Sequence, residues 1–458
     1  MDNIRQLGLT PHLTSASPKV KREIASTPND AVQLGSDNAV PEGVHKKWLF
    51  MNFIAADCNL KKYQEANIDN QELVGSDANT HIIAMIDVGP GANPLGGTWT
   101  GCRTFYVTQD NVPNKVNSPV VADHGNKVDM SDPATLTKFI VDSMAKFPSD
   151  YVALVLNDHG GGFTGALADD TDGGFMSTPQ LRQALADAEK ITGKKIDIIG
   201  YDACLMAEAE VAHELKDNAN ILLASEESEL GPGWTYSGML NKAPGMTEAI
   251  GRLQEALEQR ISVSPVDFAK IVVAQNEVNQ RYIPTFSATD LTKIDTLTKT
   301  VDEFAKAIIA SEEKSAIKTA MTKGDKYGSG YTPYKYLRDL HNLADNVGNA
   351  VQDVAVKEAA KNVKKAFKEA IIANEHSYKY PNSEGLTIFA PTTSGSGVGY
   401  KYGDLAFAKE TQWDEALVSI GKTPTGSTYL NEDMGEMYAT PPEVPEFWPD
   451  GSPRKPQA

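Results

Sequence analysis

The sequence predicts an α/β protein built on a mostly parallel, helix-covered sheet. Residues 48–55, 81–88, 151–156 and 196–200 are short, nearly continuous apolar runs. That is the pattern of strands buried on both faces. Segments with apolar residues at helical spacing lie between most of them. The resulting order, β-α-β-β-α-β-α-β-α-β, calls for crossovers that lay helices over a parallel sheet.

The elements follow in order. Residues 1–45 are polar with scattered Pro, Ser and Asn, and read as a flexible tail or pro-segment. The strand at 48–55 leads to a helix at 60–74 and the strand at 81–88. A Gly/Pro-rich loop at 89–101 precedes an expected edge strand at 102–108. Ser131 and Asp132 before Pro133 mark a helix start, carried on by Leu136, Phe139, Ile140 and Met144. The strand at 151–156 runs into Asn157-Asp158-His159-Gly160-Gly161-Gly162 and a Gly- and Asp-rich loop to Gly174. A helix from Ser177 or Thr178 to Glu189 leads to the strand at 196–200. Tyr201-Asp202-Ala203-Cys204 then opens an expected amphipathic helix at 205–216, followed by a short strand at 221–225. Beyond 245, helices are expected at 246–260, 291–310, 313–322, 335–347 and 350–374, with one more strand near 385–390. The division is thus a tail (1–45), a core (46–245), a helical remainder (246–400) and a C-terminal extension (401–458), irregular after 421.

Composition narrows the function. The 458 residues carry a net charge of −18, which disfavours nucleic acid and anionic membranes as partners. No apolar run reaches the roughly 18 residues of a membrane span. No stretch of signal-peptide type opens the chain, so the expectation is a cytoplasmic protein, one exported by another route, or one stripped of its leader. Three cysteines, Cys58, Cys102 and Cys204, are too few for a disulfide scaffold. Cys58 and Cys102 read as buried or loop thiols without chemistry.

Chemistry converges on two strand ends. In an open parallel sheet, ligands bind beyond the carboxyl ends of the strands, where His159 and Cys204 are delivered. A thiol becomes a useful nucleophile when a helix N-terminus, a cation or a nearby His lowers its pKa. Glycine after His159 lets backbone N–H groups approach a ligand, so those of Gly160 and Cys204 are candidate oxyanion donors. Asp158 reads as a solvated or turn-forming residue. His124 reads as a loop residue with no strand to present it, and His213 as exposed. The absence of Cys-x-x-Cys and His-Glu-x-x-His patterns argues against a structural or catalytic zinc site.

These residues resemble the clostripain family of cysteine peptidases, in the caspase-like clan with gingipains and legumains. The likeness rests on strand-His-Gly-Gly and strand-Tyr-Asp-Ala-Cys-Leu-Met. It extends to Ala55-Ala56-Asp57 before Asn59-Leu60, Met130-Ser131-Asp132-Pro133, Ser225-Glu226-Glu227, Gly233-Trp234-Thr235-Tyr236, Phe286 to Leu291 and Gly385-Leu386-Thr387-Ile388. The resemblance implies a caspase-like three-layer α/β/α sandwich with extra C-terminal helices. It implies an endopeptidase in which Cys204 forms the acyl-enzyme and His159 is general acid and base. It also implies cleavage after Arg or Lys, with Asp202 lining the specificity pocket and Trp234 beside it. Pro232 stands where many relatives carry a second acid, and Glu229 is the candidate substitute. No Lys or Arg lies between His159 and Arg182, so self-cleavage in that loop is not expected; Lys190, Lys194, Lys195, Lys19, Lys21 and Arg22 are alternatives. No cofactor is required for the chemistry. Calcium occurs in the family, and Asp169, Asp170 and Asp172 offer hard oxygen ligands. The alternative function is a catalytically silent caspase-like scaffold that binds peptides or proteins.

Overall fold

A computed structural model describes residues 40–89, 99–112, 115–231, 233–234, 245–276, 280, 282–328, 336–391 and 402–421. The expectations for residues 1–39, for Pro232, Thr235 and Tyr236, and for the chain after 421 lie outside the described residues.

Among the described residues, nine strands form one sheet. They are β1 (Lys46–Ala56), β2 (Thr80–Val88), β3 (Gly101–Tyr106), β4 (Val120–Gly125), β5 (Ser149–Asn157), β8 (Ile196–Asp202), β9 (Ala219–Ala224), β10 (Thr285–Asp290) and β12 (Ile371–His376). Their spatial order is β12-β10-β9-β8-β5-β1-β2-β3-β4. The central five, from β9 to β2, are parallel, and the pairs added at both ends are antiparallel. The remaining strands are β6 (Ala166–Asp169) with β7 (Gly174–Met176), and β11 (Leu337–Asp339) with β13 (Thr387–Phe389), each a two-stranded ribbon.

Alternation along β1 builds the layers, because successive side chains leave opposite faces of a strand. Trp48 and Phe50 pack on Phe268 of the helix Pro265–Gln275. Phe53 points the other way, onto Phe139 of the helix Pro133–Lys146. Both faces of the sheet are therefore covered, as the continuous apolar runs require. The Pro133–Lys146 helix starts where expected, with Asp132 accepting the Ala134 N–H.

Several expectations are corrected. The strand after the Gly/Pro-rich loop is not the edge; β4 pairs outside it, and His124 sits on β4 with its Nε2 2.9 Å from Thr104 Oγ1. The Gly- and Asp-rich loop contains a 3-10 turn, Gly162–Thr164, and the β6–β7 ribbon. The helix Pro265–Gln275 and the strands β10 and β12 were not anticipated. The expected helix at 350–374 ends at Ala370 and gives way to β12.

Candidate active site

Register decides where the two candidate catalytic residues sit. Strands β5 and β8 are parallel neighbours with Leu156 opposite Tyr201 and Asn157 opposite Asp202. His159 and Cys204 each follow these last paired residues by two positions, so both leave the same rim of the sheet. The alignment continues past the strands: the Asp158 N–H donates to Asp202 O at 3.2 Å. The backbone of Gly160 then runs against that of Cys204. A Cβ built on Gly160 would fall 2.3 Å from Cys204 O and 3.1 Å from Cys204 N. Only glycine fits there, and the fit brings the two candidate oxyanion donors side by side.

The imidazole has a defined orientation. His159 Nε2 lies 2.8 Å from Asn59 Oδ1. An amide oxygen can only accept, so Nε2 carries a proton and the neutral ring keeps its lone pair on Nδ1. Asn59 follows β1, the other parallel neighbour of β5. Sequence reasoning quoted it only as part of an opening loop; the signal available was its position just past a strand end.

The thiol differs from expectation. The helix after Cys204 is Ala209–Leu215, starting five residues later, so its dipole does not act on the sulfur. All seven of its residues are buried, so it is not amphipathic. His213 is buried, bonded to Thr298 Oγ1 at 2.9 Å and paired with Glu410. Between strand and helix the chain makes a sharp turn, with Leu205 at φ +68° and its N–H on Glu227 O. A left-handed leucine costs about 1–2 kcal/mol and is held by this surrounding structure. Cys204 itself is partly exposed. Its Sγ accepts the Glu229 N–H at 3.3 Å and lies 3.6 Å from Glu229 O. Burial of the sulfur, then the Glu229 carboxylate, push the thiol up to about 12. At neutral pH the resting sulfur is therefore protonated.

A second group gathers beside the thiol. Asp202 accepts from the Asn157 amide and from the Trp234 N–H at 3.0 Å. The Gly233–Trp234 segment closes on this carboxylate; a Cβ on Gly233 would meet Asp202 Oδ1 at 2.1 Å. The Trp234 ring is buried against Phe286 and lies over Gly200. Its Nε1 faces Glu229 Oε1 at 3.4 Å. Burial, and then Asp202, raise the Glu229 carboxyl well above its usual range. Asp202, Glu229 and Trp234 thus form one acidic cluster, with the Glu229 N–H on the thiol and its carboxyl facing the Trp234 indole.

Comparison with known proteins follows this geometry. The sequence model of the clostripain family matches residues 52–420. The chain belongs to the clostripain family. It is a cysteine peptidase, a hydrolase, with a caspase-like fold. Clostripain of Hathewaya histolytica is 24% identical over 409 residues, covering 76% of this chain and 75% of that one. Among solved structures, a secreted C11 cysteine protease of Bacteroides thetaiotaomicron matches with TM-score 0.59 and 16% identity, over 81% of this chain and 100% of that one. The same description applies to a structure with an irreversible peptide inhibitor, at TM-score 0.55, 17% identity, 81% and 99%. An inactive zymogen C11 protease of Parabacteroides distasonis matches at TM-score 0.53, 19% identity, 80% and 97%.

The acidic loop of this clostripain-family member divides differently from expectation. Asp169 groups with Asp57 and Asp87, and with Asp129 and Asp172 on another side, oxygen atoms lying within 4.8 Å in each set. Asp170 joins neither among the described residues. Its N–H bonds Asp57 O at 2.8 Å, and its charge bears on Cys58 and Asp158. Adjacent residues of the β6–β7 turn point apart, which separates Asp170 from its neighbours. Asp158 is buried rather than solvated, accepting from Cys58 Sγ at 3.0 Å and from the Ala168 N–H. Of the alternative processing positions, Lys190 lies within the helix Thr178–Thr192. Lys194 and Lys195 extend their ammonium groups onto backbone carbonyls.

Proposed function

We propose that this peptidase cuts peptide bonds after Arg or Lys through Cys204 and His159. The observation that carries the reading is the in-register exit of both residues from β5 and β8, with the Gly160 backbone against Cys204. His159 Nδ1 takes the thiol proton as Cys204 Sγ attacks the scissile carbonyl. The N–H groups of Gly160 and Cys204 receive the developing oxyanion. His159 returns the proton to the leaving amine, and water then releases the acyl-enzyme. Asp202 and Glu229, packed beside each other, cannot both ionise cheaply alone. A substrate guanidinium or ammonium between them removes that repulsion, which supports a basic residue on the acyl side. The net charge of −18 suits such substrates. Fluorogenic Arg, Lys and neutral peptides assayed with wild type and Cys204→Ala test this; activity persisting in the variant removes the nucleophile.

The second reading is the silent peptide-binding scaffold. One observation favours it, the thiol pushed up to about 12. Labelling order alone does not discriminate, since Cys58 and Cys102 are buried and Cys204 is partly exposed. The pH dependence of iodoacetamide labelling does. A peptidase alkylates Cys204 well below pH 8 and loses this in His159→Ala, whereas a scaffold labels only as the solution becomes alkaline.

Calcium has a fitting set of donors in Asp57, Asp87 and Asp169, all buried carboxylates. Burial, then Asp169, lift Asp87 to about 7, a repulsion that a bound cation would relieve. There the ion would tie the β6–β7 ribbon to the ends of β1 and β2, with no part in bond cleavage. Thermal melting in calcium against chelator is expected to show stabilisation that Asp87→Asn abolishes.

A further inference from the structure

Two groups packed against His159, Cys58 and Asp158, have no part in peptide hydrolysis. Cys58 follows β1, and Asp158 and His159 follow β5, the parallel neighbour of β1. The Cys58 thiol donates to Asp158 Oδ1 at 3.0 Å. Cys58 Sγ, a carboxylate oxygen of Asp158 and one ring nitrogen of His159 all lie within 4.8 Å of one another. The thiol is buried, and neither it nor Asp158 is needed to move a proton between Cys204 and substrate.

We infer that Cys58, Asp158 and His159 form a zinc-binding site whose occupancy reversibly switches the peptidase off. One sulfur, one carboxylate oxygen and one imidazole nitrogen are a zinc donor set, and three protein ligands leave a fourth position for water. Zinc bonds of about 2.3 Å to sulfur and 2.0 Å to oxygen, at a tetrahedral angle, set donor atoms about 3.5 Å apart. The thiol–carboxylate separation of 3.0 Å opens by about half an ångström to reach that spacing. His159 already has the kind of orienting contact that a zinc-bound imidazole uses, from Nε2 to Asn59 Oδ1. Asp170 adds a further negative charge beside Cys58 and Asp158. Binding exchanges the Cys58 thiol proton, and the proton that burial favours on the Asp158 carboxyl, for zinc bonds and releases both to solvent. His159 Nδ1, committed to the metal, can no longer accept the Cys204 proton. The inhibitory consequence rests on the reading of His159 as general acid and base; the metal site does not.

The experiment separates the two. Cobalt is titrated into the full chain carrying Cys204→Ala, which removes the other thiol near His159. The expected result is a near-ultraviolet thiolate-to-cobalt absorption that disappears when Cys58→Ser is added. No absorption, or absorption that persists without Cys58, overturns the site whatever the enzyme's activity. Zinc inhibition is then read on chains with Cys204 intact, each against its own metal-free rate. The half-inhibitory zinc concentration is expected to rise about tenfold or more in Cys58→Ser and in Asp158→Asn. The serine hydroxyl keeps a donor to Asp158; the asparagine oxygen keeps an acceptor for the Ala168 N–H, while its NH2 turns to the Cys58 sulfur and reverses that bond. Unchanged zinc sensitivity in both variants would put the metal on Cys204 and His159 instead and overturn the switch.

Discussion

Gly160→Ala is the sharpest perturbation of the proposed site. The added methyl would lie 2.3 Å from Cys204 O, 3.1 Å from Cys204 N and 3.0 Å from Ala203 Cβ. Carbon and oxygen approach no closer than about 3.3 Å without strain. One backbone must therefore retreat by about 1 Å, since none of these atoms ends a flexible side chain. The retreat parts Cys204 from the Gly160 N–H. A misplacement of this size costs about a hundredfold in rate, and losing an oxyanion donor costs about a hundred- to a thousandfold. These describe one displacement and are not to be multiplied. Steady-state kinetics on a fluorogenic Arg peptide is expected to show kcat lower by about two to three orders of magnitude, with KM little changed. Thermal melting of the same samples checks that the chain remains folded. A folded variant with kcat within about threefold of wild type would refute the placement of the oxyanion donors, because the predicted overlap cannot relax without moving them.

Other outcomes follow from the same geometry. Asn59→Ala removes the partner of His159 Nε2; losing one such bond, about 1 kcal/mol, lowers kcat about fivefold. Asn59→Asp puts a carboxylate there and moves the acidic limb of the kcat/KM profile to higher pH, because it favours the protonated ring; an unmoved limb argues against His159 as the base. Asp202→Asn and Glu229→Gln are expected to lower kcat/KM for Arg peptides about ten- to a hundredfold, the loss of one charge-assisted bond, while neutral peptides change little. Glu210 accepts from Tyr402 Oη and the Phe389 N–H, and burial raises it to about 7. Its folded form keeps a proton that the unfolded chain has lost, so stability falls as pH rises from about 4.5 to about 7. Urea unfolding of Glu210→Gln at pH 5 and pH 8 should show a smaller difference than wild type; equal differences exclude this carboxyl as the source.

Much of this was legible in the chain itself. Strands β1, β2, β5 and β8 announce themselves because each is buried on both faces and so is apolar at nearly every position. The capped helix at Pro133 carries its own start signal. The positions of His159 and Cys204 past their strands were also readable, since strand ends are local features. β4 and β12 were not, because edge strands are half-exposed and are held by backbone pairing rather than by an apolar pattern. The turn at Cys204 was misread as a helix because the residues from Leu205 to Leu215 are uniformly buried, and burial imposes apolar residues on turns and helices alike.

The sequence by itself determined the class of fold, the family, and the two residues that leave the sheet at the same rim. Tertiary structure alone decided their surroundings. It set the thiol on the Glu229 backbone instead of a helix end, joined Glu229 to Asp202, and turned Asp170 away from Asp169. It also brought Cys58 to Asp158, 100 residues along the chain. The reason is the parallel sheet. Its register juxtaposes the ends of strands far apart in sequence, and no local pattern of polarity or propensity records which end lies beside which.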